Sequence, residues 1–197
     1  MTNIFLSASV PLPDRDSRFF ETADVFLIRE AIRALVEVIL PRGHITFGGH
    51  PAITPLMSLY ANTANLGGDR ITIYQSAFFL GKFPRENDDF VDIRYTEAVQ
   101  NDLGPSIELM RTEMLTSRKF DAAVLIGGME GILDEARLFR EYNPTAKVLP
   151  VPATGAAAAI EYNEGNYPRD LANEISFASL FRRNLLPPPL ADGSDQK

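Results

Sequence analysis

The sequence predicts an α/β fold: a doubly wound parallel sheet, three layers deep, with helices on both faces. Three observations carry this. Short apolar stretches alternate along the chain with longer ones whose apolar residues recur at three- and four-residue spacing. Two of the short stretches run straight into glycine pairs, Gly48-Gly49 and Gly127-Gly128, and from there into helical patterns. The second of these, residues 120–126, is apolar apart from Asp121, as a strand covered on both faces requires.

Residues 3–9, rich in Ile, Phe and Leu, read as the first strand, and residues 10–18, with two prolines and alternating charges, as a loop. From Thr22 to Leu40 the positions Val25, Ile28, Ile32, Leu35, Val36 and Ile39 keep the helical period, and Pro41 and Gly43 end it. Residues 44–47 form a second short strand, followed at once by Gly48-Gly49 and a helix containing Leu56, Met57, Leu59 and Tyr60. Residues 70–74 alternate β-branched with polar side chains and make a third strand, whereas residues 75–102, punctuated by Gly81, Pro84, Asn87 and Asp88, read as a long irregular stretch.

Helical spacing returns over 105–117 (Ile107, Met110, Met114) and leads into the buried strand. A further helix presents Ile132, Ala136 and Phe139 and stops near Asn143-Pro144; a strand follows at 147–151, then a turn at 152–155 opening on the alanine run 156–159. A last helix is expected over 171–181. One domain is expected across residues 1–185, with 186–197 a disordered C-terminal tail.

The chain has no cysteine, which removes disulfides, thiolate metal sites and cysteine nucleophiles. The first residues lack a basic segment and a long apolar run, no stretch reaches membrane-spanning length, and a soluble cytoplasmic protein is expected. A formal charge of −7 spread along the chain argues against a nucleic-acid partner, which calls for a basic face. The two histidines, His44 and His50, lack clustered partners, so no metal is expected, and no cofactor is called for.

Chemistry concentrates at the ends of the predicted strands, where doubly wound sheets hold their ligands. At Gly48 and Gly49, and again at Gly127, Gly128 and Gly131, glycine lets the backbone approach a ligand closely, and the following helix offers unpaired N–H groups that favour phosphate. The same glycines can also serve only to turn the chain. Glu135, one helical turn past Gly131, is a candidate base or ribose ligand, or a plain first-turn acid facing the helix dipole. Met129 and Glu130 lie inside the second glycine segment, where an acid must face ribose or solvent. Ser7 and Ser9 end the first strand, His50 rims the first glycine pair, Thr154 sits in the turn after the strand at 147–151, and all four are candidate ligand contacts. Arg111 either reaches the site or pairs on the surface with Glu108 or Glu113, and Arg15 can meet phosphate.

Taken together, these segments resemble the LOG family and the wider SLOG superfamily, a Rossmann-like group of nucleotide hydrolases and proposed nucleotide sensors. Phe47-Gly-Gly-His-Pro-Ala-Ile-Thr-Pro-Leu-Met57 is similar to the family's aromatic-Gly-Gly-Gly-x-x-Gly-Leu-Met segment, and Gly127-Gly-Met-Glu-Gly-Ile-Leu-Asp-Glu135 to its Pro-Gly-Gly-x-Gly-Thr-x-x-Glu motif. Met110-Arg-Thr-Glu-Met114 resembles the Arg-Lys-x-x-Met helix, whose arginine works with the motif's glutamate in the hydrolases; the resemblance thus makes Arg111 and Glu135 the candidate catalytic pair. His50 stands where the third glycine is expected, Ile126 where proline is, and Ile132 where threonine is; one extra residue separates the later glycines, and the arginine is displaced by one position.

With these departures the chain is most similar to the cluster 3 SLOG branch. The resemblance implies recognition of a nucleotide-derived signal, of the NAD or cyclic-nucleotide kind, in a prokaryotic defence system beside an effector such as a TIR-domain protein. The alternatives are a phosphoribohydrolase cleaving an N-glycosidic bond and a structural subunit with an inactive site. The first strand, Ile4-Phe-Leu-Ser-Ala-Ser9, also resembles that of TIR and deoxyribosyltransferase domains. Relatives of this fold commonly dimerise, so a homo-oligomer is expected, with the Met110–Met114 helix as a candidate part of its interface.

Overall fold

The computed structural model describes residues 1–66 and 68–187; the expected tail falls outside them from residue 188 onward. Six strands, β1 (Thr2–Ser9), β2 (Gly43–Gly48), β3 (Ile71–Ser76), β4 (Asp92–Thr96), β5 (Ala122–Gly127) and β6 (Lys147–Val151), form one parallel sheet in the order β4-β3-β2-β1-β5-β6. The helices are α1 (Ser17–Phe20), α2 (Val25–Ile39), α3 (Thr54–Thr63), α4 (Leu103–Thr116), α5 (Glu130–Tyr142), α6 (Ala156–Glu164) and α7 (Phe177–Leu185). The chain steps outward from β1 through β4 and then crosses back to lay β5 on the other side of β1. Strand order therefore reverses between β1 and β5, the place where doubly wound sheets open a crevice beyond their carboxyl ends.

Side-chain alternation along β1 sorts the two cores. Ile4 and Leu6 join α2, α3 and α7 on one face, with Ile28, Ile32, Leu35, Met57, Leu180 and Phe181 buried beside them. Phe5 faces α4, α5 and α6 on the other, stacking on Phe139 at 5.7 Å and meeting the edge of Phe120 at 6.1 Å. Full burial of side chains of this size contributes about 1.5–3 kcal/mol each.

Local signals set the helix boundaries. Asp24 accepts the Leu27 N–H and starts α2, three residues after the position the periodicity marks. Asp102 caps α4 through the Gly104 N–H. The stretch 75–102 contains β4, which the sequence conceals because Asp92-Ile-Arg-Tyr-Thr96 is half polar and lies at the sheet edge. Ser17 and Arg18, the end of the expected loop, instead open a single turn that runs to Phe20 and is capped by Asp16, and the last helix begins at Phe177 rather than 171. Met110 and Met114 are buried against the sheet, so the apolar face of α4 belongs to the core and is not free for an interface.

At the amino end of the sheet a polar cluster replaces apolar packing. Thr72 Oγ1 donates to Asp92 Oδ2 at 2.7 Å and accepts from Arg118 Nη2 at 3.0 Å, leaving His44 Nε2, 2.7 Å away, as a further donor to it. Burial, followed by the Arg118 charge, pushes the His44 imidazole down to about 4. A histidine depressed in the folded state contributes stability that is complete above its unfolded value of 6.5 and is lost as pH falls from there toward 4. Denaturant titrations across that window are expected to show a loss of up to about 3 kcal/mol attributable to this group. In His44→Gln, which keeps a donor for Thr72 but does not titrate, that part of the acid slope should vanish.

Candidate functional site

The reversal point, where sheets of this kind hold their ligands, lies between the exits of β1 and β5. Ser7 pairs in register with Leu125, and Ser9 with Gly127. After Gly127 the chain turns sharply: Gly127 and Gly128 have φ of 59° and 83°, in the left-handed region that other residues enter at a cost. A Cβ on Gly128 would lie 1.9 Å from Ile132 Cδ1, and one on Gly127 2.5 Å from Ile28 Cδ1. The Gly127 N–H donates to Thr154 Oγ1 and the Gly128 N–H to the Ser9 carbonyl, both at 2.9 Å. Thr154, fully buried and donating in turn to the Val151 carbonyl at 2.6 Å, braces this turn from behind. The two glycine amides nearest β5 are thus engaged by the protein itself.

Donors for an anion lie one step further on. Met129 is extended (φ −129°, ψ −162°) and α5 begins at Glu130 with no side-chain cap, so its first-turn N–H groups have no side-chain partner. The Glu130 carboxylate is two-thirds exposed and pairs with Arg18 at 3.1 Å.

Glu135 lies inside. Its Oε2 accepts the Ser7 hydroxyl at 2.5 Å, and its Oε1 accepts Arg111 Nε at 3.3 Å. Arg111 reaches across from α4, and its remaining nitrogens donate to Asp134 Oδ2 at 3.2 Å and to the Gly131 carbonyl at 3.3 Å. Gly131 makes room for this: a Cβ there would stand 2.9 Å from Arg111 Nη2. Both side chains of the pair keep 17% of their surface open. Burial raises the Glu135 pKa above the ordinary carboxylate value, outweighing the opposing pull of Arg111 and the Ser7 hydrogen bond. A carboxyl whose pKa is raised by burial, beside a cation and a hydroxyl at the end of a central strand, suits proton transfer or the stabilisation of positive charge on a sugar.

The β2 exit forms the adjoining wall. Gly48 lies under α4, with Met110 Cε 3.5 Å from where its Cβ would be, and Gly49 admits Gln75, whose Nε2 would meet a Cβ at 2.0 Å. His50 is half-buried, its Nδ1 accepting the Ala52 N–H at 3.2 Å; burial and then the charge of Arg15 hold its pKa below the usual histidine value.

Ser7, Arg111, Gly131 and Glu135 are therefore in direct contact, while Ser9, Gly127, Gly128 and Met129 form the adjacent turn. Gly48, Gly49 and His50 line the neighbouring strand exit, Glu130 faces outward and Thr154 lies behind. Sequence reasoning missed Asp134, the second acid on Arg111, and Arg18, which is held by Asp16 and also reaches Glu130 across 112 positions of sequence. Nothing local marks either residue.

Two outcomes are expected. In Gly128→Ala the left-handed turn and the Ile132 clash together should cost roughly 3 kcal/mol or more, read as a lower denaturation midpoint with an unchanged denaturant slope. Because the Glu135 pKa is raised on folding, its stabilising contribution is complete below the unfolded value of 4.5 and is lost as pH rises through the folded one. The stability of Glu135→Gln relative to the parent protein should therefore increase from below pH 4.5 toward neutrality; a relative stability that instead fell with pH would mean that Arg111 and Ser7 outweigh burial.

Among the described residues no helix is long and apolar enough to cross a membrane. No curated protein matches the chain. The X-ray structure of TM1055, a structural-genomics target, superimposes with a TM-score of 0.56 at 16% identity, over 94% of this chain and 100% of that one, a likeness of fold. The family model described as the SLOG cluster3 family matches residues 18–185, the span that carries the Arg111–Glu135 pair and both glycine exits. The chain belongs to the SLOG cluster3 family.

Proposed function

We propose that the protein binds a nucleotide-derived small molecule in the crevice between the β1 and β5 exits. The observation that carries this reading is the convergence of Ser7, Arg111 and Glu135 beside the uncapped start of α5. Phosphate meets the Glu130 and Gly131 N–H groups at the uncapped start of α5 and the Arg111 guanidinium, ribose hydroxyls meet Glu135 and Ser7, and the base extends toward Ser9 and His50. The SLOG family membership supports a nucleotide as the ligand class. In this reading the ligand is a signal of the NAD or cyclic-nucleotide type in a prokaryotic defence system, and its arrival changes how the protein engages an effector such as a TIR-domain protein.

A second reading, cleavage of the N-glycosidic bond, is favoured by the state of Glu135. As the bond from C1′ to the base breaks, its electron pair leaves with the base and positive charge builds on the ribose. A carboxylate held by Arg111 and Ser7 can stabilise that charge or take a proton from the attacking water. Ile132, where the hydrolases carry threonine, packs into the space above Gly128 and brings no hydroxyl to the loop.

Incubation with AMP, NAD and a panel of cyclic nucleotides, following melting temperature and chromatographed products together, tests both readings. A ligand at a hundredfold excess over its Kd stabilises by about 2.7 kcal/mol and raises the melting temperature accordingly. Arg111→Ala should weaken that binding at least tenfold, or about 1.4 kcal/mol. Stabilisation without product supports a sensor. Free base released by the parent protein and abolished in Glu135→Ala would replace that reading with the hydrolase, and no shift with any nucleotide would remove both.

A further inference from the structure

The strand β4 is an outer strand, hydrogen-bonded to β3 alone. Its two rows of side chains differ in kind. Ile93 packs into the core under α2 and α3; in the same row Val91, just before the strand, and Tyr95 are 81% and 57% exposed. The ring of Phe83 lies 5.6 Å from that of Tyr95 and extends this apolar row. On the opposite face Asp92 and Arg94 pair at 2.6 Å.

An edge strand presents unpaired N–H and C=O groups that template pairing with another chain, and charges on the edge ordinarily oppose it. Here the order of the charges selects one partner. Two copies related by a two-fold axis normal to the sheet bring their edges together antiparallel, with the same face up. With the axis at Ile93, Asp92 faces Arg94 of the partner subunit, Arg94 faces Asp92 of the partner subunit, and Val91 faces the partner's Tyr95. With the axis at residue 92 or 94, two aspartates or two arginines oppose each other, which disfavours those registers. The other edge, β6, is blunted by Pro150, which removes a backbone donor.

We propose that β4 pairs antiparallel with β4 of a second copy across a two-fold axis at Ile93, joining the two six-stranded sheets into one. Apolar contact on one face and alternating charge pairs on the other hold the edge closed, and the ligand crevices lie at opposite ends of the joined sheet. This arrangement does not depend on the ligand reading.

Sedimentation equilibrium of the full chain over a wide concentration range tests it, with circular dichroism as the folding control. The parent protein should be a dimer in exchange with monomer. Arg94→Glu sets Asp92 against a partner glutamate, and Asp92→Lys sets Arg94 against a partner lysine, so each variant alone should dissociate at least tenfold more readily. Mixed in equal amounts, the two variants restore opposite charges at every position and should form a heterodimer. Tyr95→Lys, at a side chain that is more than half exposed, should weaken dimerisation without unfolding the chain, and decides the matter if Asp92→Lys disturbs the Thr72 contact and fails to fold. A parent protein that stays monomeric, a dimer unchanged by both Arg94→Glu and Tyr95→Lys, or two folded variants that do not associate when mixed would each overturn the proposal.

Discussion

The turn at Gly127–Gly128 holds the molecule's working end together. Two successive left-handed residues leave β5, and the backbone groups they expose are taken up by three separate parts of the chain: Ser9 of β1, Thr154 after β6, and Ala157 of α6, whose N–H donates to the Gly128 carbonyl. Ile132 and Ile28 occupy the space where side chains would have been. A turn constrained from so many directions fixes where α5 begins, and with it the position of Glu135 one turn later. The backbone strain is sustained because the surrounding contacts over-determine the conformation.

Seen this way, the glycines and the chemistry divide their labour. Gly49, Gly127 and Gly128 are required by packing against Gln75, Ile28 and Ile132, whatever the crevice holds. Gly131 differs, because the group it admits is the Arg111 guanidinium. The reactive character of the site comes from the meeting of α4, α5 and β1, where a carboxyl loses most of its water while a hydroxyl and a cation replace only part of that solvation. The outer acids, Glu130 and Asp134, each contact an arginine that also serves a second carboxylate: Arg18 pairs with Asp16 as well as Glu130, and Arg111 with Glu135 as well as Asp134.

The two ends of the sheet use polarity for different purposes. At the carboxyl end Arg111 and Glu135 keep part of their surface open beside the buried Ser7. At the amino end His44, Thr72, Asp92 and Arg118 are directed at one another and tie the end of α4 to β2, β3 and β4. Asp92 belongs to both this cluster and the edge row, so the integrity of the outer strand and the charge pattern it presents are linked through one carboxylate.

Periodicity and composition alone determined much of this protein. Five of the six strands and the long helices were legible because burial on both sheet faces forces continuous apolar runs, and burial on one helix face forces a 3.6-residue repeat. The two glycine exits were legible because few other residues turn a chain so tightly. The strand β4 was not, since an edge strand with one solvated face needs neither signal. Ser7, Arg111 and Glu135 could each be named from the sequence, but their contact could not: 128 positions separate Ser7 from Glu135 and 24 separate Arg111 from it. That meeting, like the pairing of Arg18 with Glu130 and the bracing of Gly127 by Thr154, depends on the order in which the strands assemble. Local sequence sets which element forms; only the packed sheet decides which side chains share a dielectric environment and which donors are left free.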